Sequence, residues 1–185
     1  GVPPFDKILP EHFMPAFERG MSLHEAEIDA ITSNKDEATF ENTILAYDDA
    51  GQMLAQTELV FGMLCAAETN DRMQALQEQA MPLLAAHRDK IRLDDKLFVR
   101  VKEVYDRRAA LGLDAEQMRL LQKTYDSFVR AGALLDAEQK ARLKEINGQL
   151  SLTAVKFGNN ILAENNNFVL ELKSDELDGL PAIIQ

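Results

Sequence analysis

Three features of this sequence predict an all-α fold, a multi-helix bundle of about six long antiparallel helices with one short strand near the C-terminus. Ala, Leu, Glu and Gln are plentiful, while 185 residues hold 9 Gly, 6 Pro and no Trp. Apolar residues recur at spacings of three and four, the period of one helix face. The tetrapeptide Asp-Ala-Glu-Gln occurs at 114–117 and again at 136–139. Each copy places Asp at a helix start and Gln three residues on, so that each side chain satisfies a backbone donor of the first turn. The copies lie 22 residues apart, too close for a helix-hairpin repeat, and read as reused caps.

Residues 1–10 are Pro-rich and extended. Pro10 suits the first position of a helix that runs to about Thr32, with Phe13, Phe17, Met21, His24, Ile28 and Ile31 on its apolar stripe. The second helix is expected from Phe40 to Glu68. Thr39 is its N-cap, and Glu41 stands where the helix dipole favours an acid. Phe40, Ile44, Tyr47 and Leu54 share a face; from Leu59 onward the helix is apolar nearly all round, which predicts a central position. The third helix starts at Asn70-Asp71, carries Met73, Leu76, Ala80, Leu83, His87 and Ile91, and contains Pro82 as a kink. The fourth spans about 95–111, with Leu97, Val101, Val104, Tyr105 and Leu111 inward, and Gly112 ends it. The fifth inserts Met118, Leu121, Tyr125 and Phe128. The sixth carries Leu143, Ile146, Leu150, Phe157 and Ile161 and stops near Asn165-Asn166-Asn167.

Phe168-Val169-Leu170-Glu171-Leu172 reads as the strand, followed by a brief helical turn at 174–177 that Gly179-Leu180-Pro181 breaks. The expected organisation is a helical domain over 1–165 and a strand-and-turn segment over 166–185 leading into a further part. An unpaired strand edge and the apolar Ala182-Ile183-Ile184 are surfaces suited to additional sequence, and the open edge predicts self-association of the isolated chain through 168–172.

The net charge of −11, with no basic run, argues against nucleic acid, whose backbone demands a Lys/Arg patch. The longest apolar run, Val60 to Ala67, is too short for a bilayer span, which takes about 20 residues. No signal peptide is visible in a chain that begins at Gly1, so cytoplasm and periplasm stay undecided. Cys65, the one cysteine, lies in that apolar run and reads as an inert buried thiol.

His24-Glu25-Ala26-Glu27-Ile28 comes nearest to a catalytic motif. A His-Glu-x-x-His zinc helix needs a second imidazole four residues on, where Ile28 stands. His24 and His87 lie on packed stripes, and His12 fits a turn or cap. Phosphate-binding Gly loops and a Gly-x-Ser-x-Gly elbow are missing, and Asp48-Asp49 and Asp94-Asp95 diverge as helix neighbours. Gly51, Gly62 and Gly148, inside helical patterns, suggest close helix packing. No catalytic, cofactor-binding or metal-binding residue is assigned.

Several segments, in order, resemble the thimet oligopeptidase family of zinc peptidases, on its bacterial peptidyl-dipeptidase branch. They are Pro3-Pro4-Phe5-Asp6-Lys7-Ile8, Pro10-Glu11-His12-Phe13, Glu27-Ile28-Asp29-Ala30-Ile31, Thr39-Phe40-Glu41-Asn42-Thr43-Ile44, Phe128-Val129-Arg130-Ala131-Gly132-Ala133, Lys156-Phe157-Gly158-Asn159-Asn160 and Leu177-Asp178-Gly179-Leu180-Pro181. Glu164-Asn165-Asn166-Asn167 departs from the family's usual turn. The resemblance implies the N-terminal, non-catalytic segment of an enzyme that removes C-terminal dipeptides from oligopeptides. It also implies a wall of the substrate channel here, one zinc ion in the full-length enzyme and none in this chain, and a C-terminal catalytic part of the same polypeptide as partner. The alternative is a stand-alone helical protein-interaction module without activity.

Overall fold

The computed structural model describes residues 2–171, 173, 179 and 181. Two 3-10 turns, Phe5–Lys7 and Pro10–His12, lead into α1 (Phe13–Ser33). A π-helical turn, Phe40–Leu45, feeds the single turn α2 (Ala46–Asp49). Then follow α3 (Gln52–Ala67), α4 (Asp71–Arg92), α5 (Asp95–Asp106), a 3-10 turn at Arg108–Ala110, α6 (Ala115–Arg130) and α7 (Ala137–Asn167). The single turn α2 apart, this is an all-α bundle of six helices.

The expected strand is corrected. Among the described residues there is no strand. The N–H of Phe168 closes α7 on the Glu164 carbonyl at 3.0 Å, and no second extended segment pairs with residues 168–171. A strand needs such a neighbour for its backbone groups, and the exposed residues 168–171 have none among the described residues. Leu172, the turn expected at 174–177 and the apolar 182–184 lie outside the described residues.

The expected helix 40–68 is also divided. Gly51 adopts φ 77°, a left-handed conformation that side chains with a Cβ avoid, and the chain restarts there as α3. Its N–H donates to Glu27 Oε2 at 2.7 Å, which ties the break to α1. The other helix starts follow the local chemistry. Asp94, Asp114 and Asp136 accept from the backbone of their own first turns, the last two as complete capping boxes.

Two apolar clusters build the core. One joins the C-terminal half of α1 (Ile28, Ile31) and the π turn (Phe40, Ile44) to Ile91, α5 and α6, with Phe98 and Phe128 at its centre. The other joins the N-terminal half of α1 (Phe13, Phe17) to α3 (Leu54, Phe61) and α4 (Met73, Ala80, Leu84). Phe61 sits edge-on to Phe17 at 5.3 Å between ring centroids. Gly20 lets α1 and α3 close on each other, since a Cβ there would meet Leu54 Cα at 3.0 Å. On α4 the inward position belongs to Leu84, and Leu83 is exposed, against expectation.

The segment 34–42 turns the chain between α1 and the π turn. Thr39 Oγ1 accepts from Asn42 N–H at 3.1 Å, and Asn42 Oδ1 accepts from Thr39 N–H at 2.8 Å. Asn42 Nδ2 donates to the Glu37 carbonyl. From α5 the buried Arg100 donates to the carbonyls of Asn34 and Asp36 and to Asn42 Oδ1 at 3.1 Å. Arg107 reaches the Ala38 carbonyl and the Glu37 carboxylate. Asn42→Ala removes a cap and one partner of a buried guanidinium. It should lower the unfolding free energy by about 1–3 kcal/mol in urea titrations, whereas the exposed Glu41→Ala should stay within about 0.5 kcal/mol.

Candidate functional site

The titratable groups that converge do so between α1 and α4. His24 Nδ1 lies 3.0 Å from His87 Nε2, a hydrogen bond in which the two nitrogens share one proton. His87 is buried, and its Nδ1 has Glu25 Oε1 at 3.5 Å, too long for a satisfied bond. Glu25 is held instead by Lys90 at 2.9 Å, a contact that keeps its carboxyl below the usual range. Burial lowers the proton affinity of both imidazoles; the neighbouring His87 charge adds to this at His24, while Glu25 opposes it at His87. Gly51 packs on this pair, since a Cβ on it would lie 2.9 Å from His24 Nδ1.

The remaining candidates are apart. His12 Nδ1 accepts from Leu9 N–H at 3.2 Å and so serves a turn. Cys65 packs beside the second cluster, where burial raises its thiol pKa and disfavours the reactive thiolate. Asp94 caps α5 while Asp95 pairs with Lys140. Among the described residues no group of three His, Cys, Asp or Glu is arranged to hold a metal ion. Nor is any helix among the described residues long and apolar enough to cross a membrane.

What the surface does offer is apolar. On α7 Ile146, Leu150, Phe157 and Ile161 form one stripe, with Leu150 62% and Phe157 66% exposed. Its length from 146 to 161 is about 22 Å. On α3 the outward face is Gln52, Gln56, Leu59, Met63 and Ala66, without a charge, and Leu59 is 65% exposed. The expected central position of α3 is therefore corrected: it packs on α1 by one side only. An open groove of about 260 Å³, lined by Ile8, Phe13, Ala16, Met53, Gln56 and Val60 among others, adjoins that face. Close packing also fails to explain Gly62 and Gly148, where a Cβ would meet nothing within 4 Å.

The chain is 42% identical over 164 residues to dipeptidyl carboxypeptidase of Escherichia coli, covering 89% of this chain and 24% of that protein. The protein of the same name from Salmonella typhimurium is 40% identical over 162 residues, 88% of this chain and 24% of its own length. By descent this chain is homologous to the bacterial dipeptidyl carboxypeptidase and oligopeptidase A family over most of its length. Oligopeptidase A of E. coli extends the match to 97% of the chain at 23% identity, over 27% of that protein. The chain thus spans about a quarter of the length of the curated relatives it matches. No family profile matches it.

The family-like hexapeptide Thr39 to Ile44 is the structural device described above, the cap and loop that Arg100 grips. The His24–His87 pairing is hidden from sequence reasoning. Its one signal is that both residues occupy inward stripe positions, His24 between Met21 and Ile28 and His87 between Leu84 and Ile91.

The glycines give a test of opposite signs. Gly51→Ala should cost about 1–3 kcal/mol of stability through its left-handed backbone and the clash with His24. Gly62→Ala, on a helix in open space, should add about 0.5–1 kcal/mol. Paired thermal or urea melts of the two variants measure both.

Proposed function

We propose that this chain is the N-terminal, non-catalytic segment of a zinc-dependent peptidyl-dipeptidase that removes C-terminal dipeptides from oligopeptides. In this reading the helices up to about residue 165 form part of the wall of the substrate channel, and 166–185 lead toward the catalytic part. The observation that carries it is the 42% identity to a dipeptidyl carboxypeptidase some four times as long. The bare apolar faces of α3 and α7 support it, because a solvated helix ordinarily carries charge on the face it leaves open.

The segment's contribution is steric. Helices that line a narrow channel admit an unfolded oligopeptide and exclude a folded domain, so selection is by size. Zinc, held elsewhere in the enzyme, would activate water and polarise the scissile carbonyl. No side chain described here takes part in that step.

Two measurements bear on this. The 185-residue chain should bind no stoichiometric zinc and cleave no blocked oligopeptide. Chelator-sensitive cleavage by that chain would refute the reading. In the complete gene product, Leu150→Asp or Phe157→Asp should reduce peptidase activity, while in the 185-residue chain each should leave stability within about 0.5 kcal/mol. Equal indifference in both contexts would instead favour a free-standing interaction module.

A further inference from the structure

We propose that the His24–His87 contact is a proton-operated latch between α1 and α4, closed when it holds one shared proton and released when each imidazole is charged. Such a latch would operate whether or not the chain belongs to a peptidase.

The pair occupies a boundary. Along α1, Phe13 and Phe17 belong to one apolar cluster and Ile28 and Ile31 to the other, with His24 between them. Along α4, Ala80 and Leu84 belong to the first of these and Ile91 to the second, with His87 between them. The two imidazoles therefore meet where two separate apolar cores adjoin. Beside them the chain breaks at Gly51, whose contact with His24 leaves no room for a Cβ. Both α1 and α4 run unbroken through this seam, so release of the contact loosens the two helices from each other locally.

Charged groups surround the pair on three helices. From α1 face Glu25 and Glu27, from α3 Glu58, and from α4 Arg88 and Lys90. Each carboxylate has another partner. Glu25 pairs with Lys90 at 2.9 Å, Glu58 with Arg88 at 3.6 Å, and Glu27 accepts the Gly51 N–H at 2.7 Å. Glu25, near His87 Nδ1, accommodates one positive ring. A second proton has no unengaged carboxylate to meet it, and it abolishes the acceptor on which the 3.0 Å bond depends.

Folding lowers the proton affinity of both rings, so the unfolded or opened state binds more protons below the ordinary imidazole value of 6.5. The contact is fully stabilising above 6.5 and weakens as the pH falls from there.

Hydrogen exchange on the whole 185-residue chain tests the latch. Between about pH 7.5 and about pH 5.5, protection at 21–28 and 84–91, corrected for intrinsic rates, should fall at least about tenfold more than protection around Phe61 and Phe128. His24→Gln should abolish that local response. Should this variant fail to fold, imidazole NMR titration of the unaltered chain decides, with both rings expected to titrate below 6.5. Uniform loss of protection across the chain, or either ring titrating at or above 6.5, would overturn the proposal.

Discussion

The docking of α5 on the first half of this bundle depends on how the chain leaves α1. After Ser33 the backbone reverses, and its carbonyls at Asn34, Asp36, Glu37 and Ala38 have no helix to accept from. Side chains supply the donors instead. Arg100 on α5, Arg107 two turns further on at its C-terminal end, and Asn42 from the following turn take all four carbonyls. The guanidinium of Arg100 is buried to do so, with its Nε left without a partner. A buried cation is tolerable only when its environment is fixed, and here the fixed environment is the loop itself. Loop and α5 thus hold each other in place, which sets Phe40 and Ile44 against Val101 and Phe128 in the core.

Much of this is legible in the sequence. The helix starts at Asp114 and Asp136 are written in their capping boxes, because a cap is a local interaction between residues three apart. The stripes of α1, α5 and α6 are legible for a similar reason, since periodicity reports burial directly. What escapes involves distance along the chain. Gly51 reads as an ordinary helical glycine until His24 and Glu27, 27 and 24 residues earlier, are seen against it. The meeting of His24 with His87 spans 63 positions. Phe168 to Leu170 have strand-like side chains, but strand formation is a property of a pair and no mate lies beside them among the described residues.

The sixth long helix misleads in a more instructive way. Ile146, Leu150, Phe157 and Ile161 have helical spacing and do lie on α7, yet that spacing does not say which surface they cover. The same holds for Leu59 and Met63 on α3. Both helices leave apolar side chains exposed, and in this bundle each packs along one side only. Periodicity records that a face is destined for burial and is silent about whose atoms bury it. Homology to proteins of which this chain matches about a quarter gives those faces a context.

The attachment of α7 is polar along its length. Lys140 meets Asp95, Asn147 meets Asp89 at 2.8 Å and Asn159 meets Glu78 at 3.4 Å. On α4 the partner falls from Asp89 to Glu78 as the α7 residue rises from Asn147 to Asn159, so α7 runs antiparallel to α4, while Lys140 reaches the first turn of α5. Lys140 and Val155 are the buried residues of α7, and the polar contacts fix its register. Oily seams slide by a turn at small cost, but a ladder of matched polar rungs does not, and specificity of this kind is obtained at some expense of stability. The helix is therefore calibrated more than it is glued: a ruler about 46 Å long whose graduations are amides and charges.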